Sequence, residues 1–319
     1  MKRIGILTSG GDAPGMNAAI RAVARKALSA NLEVCGINYG YKGLVEGNIF
    51  EIKEKEVSDL IQLGGTMLYT ARYPEFAEEQ TQLKAIEQLK NNGIDALVTI
   101  GGDGTYHGAV KLTEHGYNAI GVPGTIDNDI PFTDHTIGFN TAIQTSVEEI
   151  DRIRDTAKSH SRIFVVEVMG RNSGEIALRT AVASGSQVVV IPEKPFDVDQ
   201  IAETIKDARL RGHDHQIIVT AEGAIHAQDL TEQLSNRGVE NIRGVSLGHV
   251  VRGGSPTAYD RVIAARMGSY AVELLLNGQG GQAVGIENQI ITHHPIIDLF
   301  NTKAVTDLSM YELANTLSY

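Results

Sequence analysis

The chain of 319 residues has few of the features that mark secreted or nucleic-acid-binding proteins. Its single cysteine, Cys35, excludes an internal disulfide and a cysteine-based zinc site, and it favours a reducing compartment. Basic residues are also scarce, because 28 Lys and Arg stand against 39 Asp and Glu, for a formal net charge of −11. A general nucleic-acid binder needs a basic face to meet phosphates, so the charge balance argues against that class but leaves room for a locally basic pocket.

The N-terminal region lacks a long hydrophobic run. Met1-Lys2-Arg3 lead into a short apolar stretch, Ile4–Thr8, which is too short for a signal peptide or a membrane span. These features predict a cytoplasmic protein. Glycine, in contrast, is abundant, with 34 residues or about 11% of the chain against roughly 7% in average proteins. Such a surplus without low-complexity sequence indicates tight turns in which the backbone closely approaches another group.

Short apolar runs alternate with longer segments of helical periodicity along nearly the whole chain. This alternation is typical of repeated strand–helix units that build a parallel sheet, and the length suggests about two domains. The predicted strands are Ile4–Thr8, Val34–Asn38, Ala96–Ile100, Ala119–Val122, Ile163–Val168, Val188–Ile191, Ile217–Thr220 and Gly244–Leu247. Helices are predicted over about 139–157, where Ile143, Val147 and Ile150 recur at helical spacing, and over about 258–276.

Glycine-rich polar turns follow several of these strands. Because ligands of open parallel sheets bind at the carboxyl ends of strands, chemistry is expected at these turns. Thr8–Asn17 places adjacent glycines before a helix start, which presents backbone N–H groups to an anion, although a plain strand-to-helix turn explains the segment equally well. Ile100–Thr105 sets three glycines around Asp103, which suits nucleotide phosphates and Mg²⁺, an ion that needs only one or two protein carboxylates.

A third turn, Pro123–Asp129, follows the predicted strand Ala119–Val122. If the chain stays extended, Asp127 and Asp129 point to the same side of it. One carboxylate could then accept a hydroxyl proton while the other positions metal or water, as in phosphoryl transfer to an alcohol. The alternative is an Asx-rich turn that caps the next helix.

Basic residues also lie beside the turns at strand ends. Clustered arginines offer planar forks for phosphate oxygens and repel one another unless anions lie among them. Each of them taken singly is more often a solvated surface charge. The group consists of Arg72, Arg162, Arg171, Arg243, His249 and Arg252.

Taken together, these segments resemble the bacterial ATP-dependent 6-phosphofructokinases. The matching segments, in order, are Thr8–Asn17, Gly101–Gly104, Pro123–Asp129, Met169–Arg171 and Gly248–Pro256. The resemblance implies an α/β fold of two Rossmann-like three-layer domains with mainly parallel sheets and an active site in the cleft between them. The larger, ATP-binding domain would comprise residues 1–138 and 252–305, and the smaller, sugar-phosphate-binding domain residues 139–251 and 306–319.

The resemblance implies phosphoryl transfer from MgATP to the 1-hydroxyl of fructose 6-phosphate, the committed step of glycolysis, in a homotetramer. Asp127 would be the base, with Thr125 and Asp129 beside it, and Arg171 and Arg72 would stabilise the transferring phosphoryl group. The residues implied to line the ATP site, with Asp103 at Mg²⁺, are Gly11, Arg72, Tyr73, Gly102, Asp103, Gly104 and Thr105. Those implied to bind the sugar phosphate are Thr125, Ile126, Asp127, Arg162, Met169, Gly170, Arg171, Glu222, Arg243, His249, Val250, Val251 and Arg252.

The resemblance also implies that active sites are shared between subunits. Arg162 and Arg243 match arginines that hold the 6-phosphate in a neighbouring subunit's site.

The phosphoryl donor is implied by two glycines. Pyrophosphate-dependent relatives tend to carry Asp at the position of Gly104 and Lys at the position of Gly124. Glycine at both positions leaves room for the rest of a nucleotide and favours ATP.

An effector site for ADP and phosphoenolpyruvate, located between subunits, is also implied. Its residues would be Arg21, Arg25, Arg154, Gly185, Arg211 and His213. The sequence departs from the family here, because Glu54 stands where an arginine is usual, Gln187 replaces a glutamate, and His213-Asp214-His215 replaces a more basic stretch. A negative charge in place of a positive one repels an anionic effector, so effector control is expected to be weaker than is usual in the family.

Two other functions stay open on the sequence alone. A lipid or NAD kinase would use the Gly-Gly-Asp-Gly-Thr turn but would leave Asp127, Asp129, His249 and Arg252 without a role. A non-catalytic sugar-phosphate sensor would need neither a base nor a metal carboxylate.

Overall fold

The structure, a computed structural model, describes residues 1–318. Tyr319, the last residue of the predicted smaller domain, lies outside the described residues. The strands are β1 (Arg3–Ser9), β2 (Glu33–Ile37), β3 (Ile49–Glu51), β4 (Ala96–Gly101), β5 (Asn118–Thr125), β6 (Ile137–Gly138), β7 (Ile163–Val168), β8 (Val188–Val190), β9 (Gln216–Ala221), β10 (Ile242–Ser246), β11 (Gln282–Glu287) and β12 (Ile290–Pro295).

The α-helices are α1 (Met16–Ser29), α2 (Gly40–Glu46), α3 (Glu79–Asn91), α4 (Asp103–Glu114), α5 (Phe139–Ser159), α6 (Glu175–Ser184), α7 (Val198–Leu210), α8 (Ala227–Ser235), α9 (Ala258–Leu276) and α10 (Ser309–Leu317). Short 3₁₀ turns occur at Glu54–Val57, Pro74–Ala77, Gly248–Arg252 and Ile296–Asn301. Within residues 1–318, none of the helices combines the length and the apolar character that crossing a membrane requires.

The chain forms two compact units. Unit 1 comprises Met1–Thr141 and Gly253–Ala304, and unit 2 comprises Ala142–Arg252 and the described residues from Val305 onward. Neither unit is therefore a continuous stretch of sequence.

Unit 1 is built on a sheet with the strand order β12-β11-β5-β4-β1-β2-β3, and β6 pairs with β5. The central strands β5, β4, β1 and β2 are parallel, whereas β3 and β12 pair antiparallel with their neighbours. From β1 the chain moves through α1 to β2, and from β4 it moves in the opposite direction through α4 to β5. Right-handed crossovers then place α1 and α4 on opposite faces. The crevice at the carboxyl ends of β1 and β4 is the usual ligand position in such sheets.

Apolar side chains on alternate positions hold the helices of unit 1 to its sheet. Leu7 and Ile37 lie opposite each other in the ladder and share one buried cluster with Leu44 of α2 and Leu89 of α3. On the α1–α9 contact, a Cβ at Gly268 would lie 2.9 Å from the Ala19 carbonyl oxygen, so glycine permits this close approach.

Unit 2 contains a parallel four-stranded sheet with the order β10-β7-β9-β8. Every residue of β7 and β9 is buried, as expected for strands covered on both faces. Residues such as Ile163 and Ile218 of this sheet pack against Ile205 of α7 and Leu230 of α8.

The predicted α/β class with mainly parallel sheets is confirmed. The predicted bounds of β7 and α9 agree with the structure, and the other predicted elements differ by at most three residues at an end. The strands β3, β6, β11 and β12 were not predicted. β3 and β6 have only three and two residues, and β12 contains Thr292, His293 and His294, so none of these three offers a continuous apolar run. β11 does contain a buried run, residues 283–286, and this signal was missed.

Candidate active site

Two glycine turns lie side by side at the carboxyl edge of the unit 1 sheet. They follow β1 and β4, which are neighbouring strands, with Ser9 opposite Gly101. The Thr105 hydroxyl donates to the Ser9 carbonyl oxygen at 2.9 Å, and the Tyr41 hydroxyl donates to the Thr105 carbonyl oxygen at 2.6 Å. A Cβ at Gly101 would collide with Thr105 and with the Ser9 carbonyl oxygen, so only glycine allows the turns to meet.

Thr105 was predicted to line the ATP site. It is 1% exposed, its hydroxyl is bonded to Ser9, and its N–H donates to the Gly102 carbonyl oxygen at 2.9 Å. The structure therefore shows Thr105 joining the two turns, and its place in the ATP site stays a prediction.

The start of α4 is open at the same end of the sheet. Gly102 precedes the helix, Asp103 is its first residue and Gly104 its second. A Cβ built at Gly104 meets no heavy atom of the described residues within 4 Å. The partial positive charge and the N–H groups of a helix N-terminus attract phosphate groups, so this end of α4 suits a nucleotide phosphate.

Asp103 also fits a nucleotide-bound magnesium ion. No cluster of three or more His, Cys, Asp or Glu side chains that could hold a metal by itself occurs in residues 1–318. Mg²⁺ bound with a nucleotide needs only one or two carboxylates, because phosphates and waters supply the other ligands. Asp103 is exposed beside the open position at Gly104, and its Oδ1 lies 3.6 Å from His107 Nε2. This donor set and its open surroundings match such an ion.

The segment that carries Arg72 and Tyr73 lies against the first glycine turn. The Thr70 hydroxyl donates to the Gly10 carbonyl oxygen at 2.6 Å. This bond brings the chain next to the turn that contains Gly11, two residues before the exposed Arg72.

The predicted catalytic segment begins where β5 ends at Thr125. Ile126 and Asp127 are 0% and 2% exposed. The Asp127 N–H donates to the Thr125 hydroxyl at 3.2 Å, and the Thr136 hydroxyl donates to the Thr125 carbonyl oxygen at 2.6 Å. Ile126 can therefore offer a ligand little beyond its backbone, whereas Thr125 supports the residue predicted to be the base.

The chain does not stay extended between Asp127 and Asp129, so the condition under which the two carboxylates would share one side is not met. Asn128 has φ of 50°, so the backbone turns into the left-handed region between the two aspartates and strand alternation does not place them on one side. The Asn128 Oδ1 accepts from the Thr136 N–H at 2.8 Å, which stabilises this turn.

A fully buried carboxylate, Asp260 of α9, supports the end of β5. It accepts from the N–H groups of Gly138 at 2.9 Å and Thr141 at 2.7 Å. Gly138 lies opposite Thr125 in the β5–β6 ladder. Burial raises the pKa of Asp260 above its ordinary value, although the surrounding donors act in the opposite direction. Asp260 therefore indirectly holds the chain that leads to Asp127.

In unit 2, a strained loop follows β7. Gly170 has φ of 143° and Arg171 has φ of 52°. Glu222, directly after β9, accepts from the N–H groups of Gly170 at 3.2 Å and Arg171 at 2.8 Å through one carboxylate oxygen. A Cβ at Gly223 would collide with the Arg171 carbonyl oxygen. In the structure Glu222 fixes the backbone at Arg171, and its contact with the sugar stays a prediction.

The segment His249–Arg252 forms a 3₁₀ turn close to the same sheet edge. The Leu247 N–H donates to the Glu167 carbonyl oxygen at 3.0 Å, which continues the pairing of β10 with β7 towards this turn. Val250 is exposed, whereas Val251 is fully buried and has only its backbone to offer. Met169, directly after β7, is half-buried.

The structure does not bring Arg162 and Arg243 together with these residues. Arg162 directly precedes β7, and Arg243 lies opposite Phe164 near the start of β10. A six-residue strand is roughly 17–20 Å long, so both backbone positions lie at the opposite edge of the unit 2 sheet from Gly170 and Glu222.

The predicted effector residues are divided between the two units. Arg21 and Arg25 belong to α1 in unit 1. The Arg25 guanidinium forms an ion pair with Glu54 and donates to the Ser58 hydroxyl at 3.2 Å. The remaining predicted effector residues, all in unit 2, are Arg154, Gly185, Arg211 and His213.

Side chains in unit 2 also engage part of this predicted site. Arg154 donates to the Ser184 carbonyl oxygen, next to Gly185, the left-handed residue that ends α6. The Gln187 side-chain oxygen accepts from the Ile217 N–H at 2.8 Å. Gln187 is thus tied to the backbone of the sheet.

Sequence reasoning assigned no role to Asp260. A local signal was present, because Thr257 and Asp260 follow the pattern of a hydroxyl residue and an acidic residue three positions later, which marks a helix start. The Thr257 hydroxyl indeed accepts from the Asp260 N–H at 3.3 Å. The long-range bonds of its carboxylate had no signal in the sequence.

The fold and these turns define an α/β protein whose parallel strands end, in both sheets, in glycine turns of a kind suited to phosphate groups. A family model described as phosphofructokinase matches residues 3–275, and the chain belongs to this family. The resemblance predicted from the motifs is confirmed. The ATP-dependent 6-phosphofructokinase of Lacticaseibacillus casei (strain BL23) is 60% identical over 319 residues, covering 100% of both chains, and that of Pediococcus pentosaceus is 60% identical over 322 residues with the same coverage.

Solved structures agree with this membership. Phosphofructokinase from Saccharomyces cerevisiae matches with a TM-score of 0.87 and 32% identity over 100% of this chain. The chain spans 48% of the length of that yeast chain. Pyrophosphate-dependent phosphofructokinase from Marinobacter aquaeolei matches with a TM-score of 0.85 at 24% identity, over 97% of this chain and 86% of the other, and so supports the fold alone.

Proposed function

We propose that the chain is an ATP-dependent 6-phosphofructokinase, which transfers a phosphoryl group from ATP to the 1-hydroxyl of fructose 6-phosphate in glycolysis. Full-length relatives at 60% identity carry that name. The structural observation that carries the proposal is the carboxyl edge of the unit 1 sheet. There the two joined glycine turns, the start of α4 and the buried Asp127 follow the neighbouring strands β1, β4 and β5.

In this proposal unit 1 binds the nucleotide. Backbone N–H groups at Gly11, Gly102 and Gly104 face the phosphates, and Tyr73 lies with them. Asp103 would hold Mg²⁺ together with phosphate oxygens, and the ion supplies neutralisation of phosphoryl charge when bound. The open space at Gly104 supports a nucleotide as the donor, because a larger acidic side chain there would occupy the same position.

Asp127 is the proposed base. In phosphoryl transfer to an alcohol, a carboxylate orients the hydroxyl and takes its proton as the bond to phosphorus forms. Thr125 fixes the backbone N–H of Asp127 through its hydroxyl. Asp129 is proposed to stand beside the reacting groups, on the far side of the left-handed turn at Asn128.

Unit 2 is proposed to bind the sugar phosphate. Arg171, whose backbone Glu222 holds, would stabilise the transferring phosphoryl group together with Arg72 of unit 1, because a guanidinium offsets charge on the equatorial oxygens. Met169, Gly170 and Glu222 would contact the sugar. His249 and Arg252 would grip its 6-phosphate, and the buried Ile126 and Val251 and the exposed Val250 would contribute mainly backbone.

The position of Arg162 and Arg243 supports a shared active site. Both lie at the amino edge of the unit 2 sheet, away from the other proposed sugar-phosphate residues of their own chain. We propose that they complete the 6-phosphate site of a neighbouring copy in a homotetramer. The cytoplasm is proposed as the compartment on the sequence features alone.

Effector control is proposed to be weak. Glu54 pairs with Arg25, so the guanidinium that would attract an anionic effector already faces a carboxylate. Gln187, in place of a metal-binding glutamate, is bonded to the backbone at Ile217. Both features reduce the attraction of the site for ADP with its metal and for phosphoenolpyruvate.

ADP release in a coupled assay tests the proposed activity. We expect ADP release with MgATP and fructose 6-phosphate, and little ADP release when NAD or a diacylglycerol replaces the sugar phosphate. The phosphoryl donor is tested by measuring fructose 1,6-bisphosphate, because pyrophosphate releases no ADP; little of this product should form when pyrophosphate replaces ATP. Binding of fructose 6-phosphate without any sugar-dependent ADP release would instead favour the sugar-phosphate sensor. Turnover with NAD or the lipid alone would favour the other kinase classes.

A further inference from the structure

The loop that carries Arg72 has no helix or strand of its own. Residues 58–73 lie between two 3₁₀ turns, Glu54–Val57 and Pro74–Ala77. Loops of this length inside a compact unit are uncommon and usually functional. Backbone ladders do not hold this loop, and its backbone is tied to another element by the bond from the Tyr39 N–H to the Leu68 carbonyl oxygen at 2.9 Å. Side chains from other elements add further contacts that can hold Arg72 in one place.

Asn17 supplies one set of these contacts. It is the second residue of α1 and is 3% exposed. Its amide nitrogen donates to the carbonyl oxygens of Leu63 at 3.2 Å and Gly64 at 3.0 Å, and its Oδ1 accepts from the Met67 N–H at 2.7 Å. Both ends of the amide are thus bonded to the loop, and its burial leaves little surface for a ligand.

Thr8, fully buried in β1, supplies a second set. Its hydroxyl donates to the Tyr69 carbonyl oxygen at 2.8 Å and lies 2.8 Å from the Thr66 hydroxyl. Because the Thr8 proton is used at Tyr69, Thr66 is the donor between the two hydroxyls, and its oxygen accepts from the Leu68 N–H at 3.2 Å. Tyr69 has φ of 55°, a conformation that a bulky residue adopts only where its surroundings enforce it.

We propose that Asn17 and Thr8 are positioning residues that hold the 58–73 loop so that Arg72 is presented to the transferring phosphoryl group. This inference rests on the proposed role of Arg72. The two side chains belong to the first glycine motif, yet they are turned into the protein and bonded to this loop. The motif therefore has two roles. Its glycines form the proposed phosphate-binding turn, and its polar residues Thr8 and Asn17 hold the loop that contains Arg72.

Asn17→Asp is the sharpest perturbation. It keeps the shape and the acceptor for Met67, but it replaces two donated hydrogen bonds by a carboxylate oxygen that repels the carbonyls of Leu63 and Gly64. We expect kcat with MgATP and fructose 6-phosphate to fall by roughly 10- to 100-fold, because small displacements of a catalytic group cost this much. The KM for the sugar phosphate should stay within about twofold, since the loop is not proposed to bind it.

The control is Gln216→Glu. Gln216 of β9 is fully buried, and its amide nitrogen donates to the carbonyl oxygens of Ile205 at 3.0 Å and His213 at 3.3 Å. This is the same chemical change at a buried amide that holds residues of unit 2 rather than the 58–73 loop, and kcat should stay near that of the wild type.

A double-mutant cycle with Arg72→Ala separates positioning from general damage. Arg72→Ala alone should lower kcat by roughly 10²–10³-fold. In that background Asn17→Asp should lower kcat by about threefold or less, because the residue through which it acts is gone. An equal fold loss in both backgrounds, or no loss in the wild-type background, would overturn the positioning role. Unchanged activity of Arg72→Ala would instead overturn the proposed role of Arg72, and with it this inference.

Hydrogen exchange without substrates gives a readout apart from activity. Asn17→Asp should speed exchange in peptides covering 58–73 and leave β4 unchanged, whereas unaltered loop exchange contradicts the proposal. If Asn17→Asp fails to fold, Thr8→Val decides in both assays. Its control is Thr99→Val in β4, where a fully buried hydroxyl also donates to a backbone carbonyl, that of Ile120, at 3.3 Å. Equal effects of the two valine variants would overturn the role of Thr8.

Discussion

Gly104→Asp is a substitution for which stability and activity should move in opposite directions. Gly104 is the second residue of α4, beside the exposed Asp103, and an added Cβ meets no heavy atom of residues 1–318 within 4 Å. The side chain can therefore be accommodated without moving any neighbour. It places a second carboxylate at the helix end where the phosphates of ATP are proposed to bind.

The expected magnitudes follow from this position. Aspartate is a better helix residue than glycine by about 0.3 kcal/mol, and a negative charge in the first turn contributes about 0.3–1 kcal/mol, so the free energy of unfolding should rise by roughly 0.5–1.5 kcal/mol. A carboxylate at about 6 Å from one phosphate charge costs about 0.7 kcal/mol at a dielectric constant of ~80 and about 2.8 kcal/mol at ~20. The kcat/KM for ATP should therefore fall roughly 3- to 100-fold.

Thermal unfolding and steady-state kinetics with varied MgATP measure both effects, and Gly104→Asn is the neutral control of similar volume. We expect Gly104→Asn to retain most of the ATP activity. If it loses as much activity as Gly104→Asp, volume rather than charge is responsible. If Gly104→Asp keeps wild-type kcat/KM for ATP, the start of α4 does not face the phosphates and the nucleotide placement is refuted.

Three further outcomes follow from the structure. Asp260→Asn should lower the free energy of unfolding by about 2–4 kcal/mol in calorimetry, because the amide turns a donor towards buried N–H groups that donate to the carboxylate in the wild type. A decrease below about 0.5 kcal/mol would contradict the role of Asp260 in supporting β5. Millimolar phosphoenolpyruvate near neutral pH should barely change the saturation curve for fructose 6-phosphate. Glu54→Arg, which removes the partner of Arg25, should increase the inhibition by phosphoenolpyruvate. Strongly sigmoidal kinetics in the wild type at a modest phosphoenolpyruvate concentration would refute the proposal of weak effector control. Burial raises the pKa of the Cys35 thiol and shields its sulfur from reagents. An aromatic disulfide reagent at about pH 8 should therefore modify the folded protein at least about tenfold more slowly than the denatured chain. Equal rates would contradict the buried position of Cys35.

The parallel core was predictable because its strands are nearly continuous apolar runs. β7, Ile163–Val168, is buried at every position, so pattern and length suffice to identify it. The hairpin of β11 and β12 carries a mixed sequence, and its partner strand β5 lies more than 150 residues earlier in the chain. Pairing over such distances depends on tertiary packing that no local window contains.

At the candidate site, too, local features were predictable and long-range contacts were not. The glycine turns after β1 and β4 are local signals, and they lie where the parallel topology requires. The bond from Thr105 to Ser9 joins residues 96 positions apart, and that from Gly138 to Asp260 joins residues 122 apart. The choice between an extended segment and a turn at Asp127 stayed open on the sequence, because the left-handed turn at Asn128 is stabilised by its bond to Thr136, eight residues later.

The central claim is that this chain phosphorylates fructose 6-phosphate from MgATP with Asp127 as the base. Sugar-dependent ADP release by the wild type and by Asp127→Ser, under saturating MgATP and with folding verified by circular dichroism, tests it most directly. The account predicts clear sugar-dependent turnover in the wild type and a loss of roughly 10²–10⁴-fold in the variant. No sugar-dependent turnover in the wild type, or near-wild-type turnover in Asp127→Ser, would contradict it.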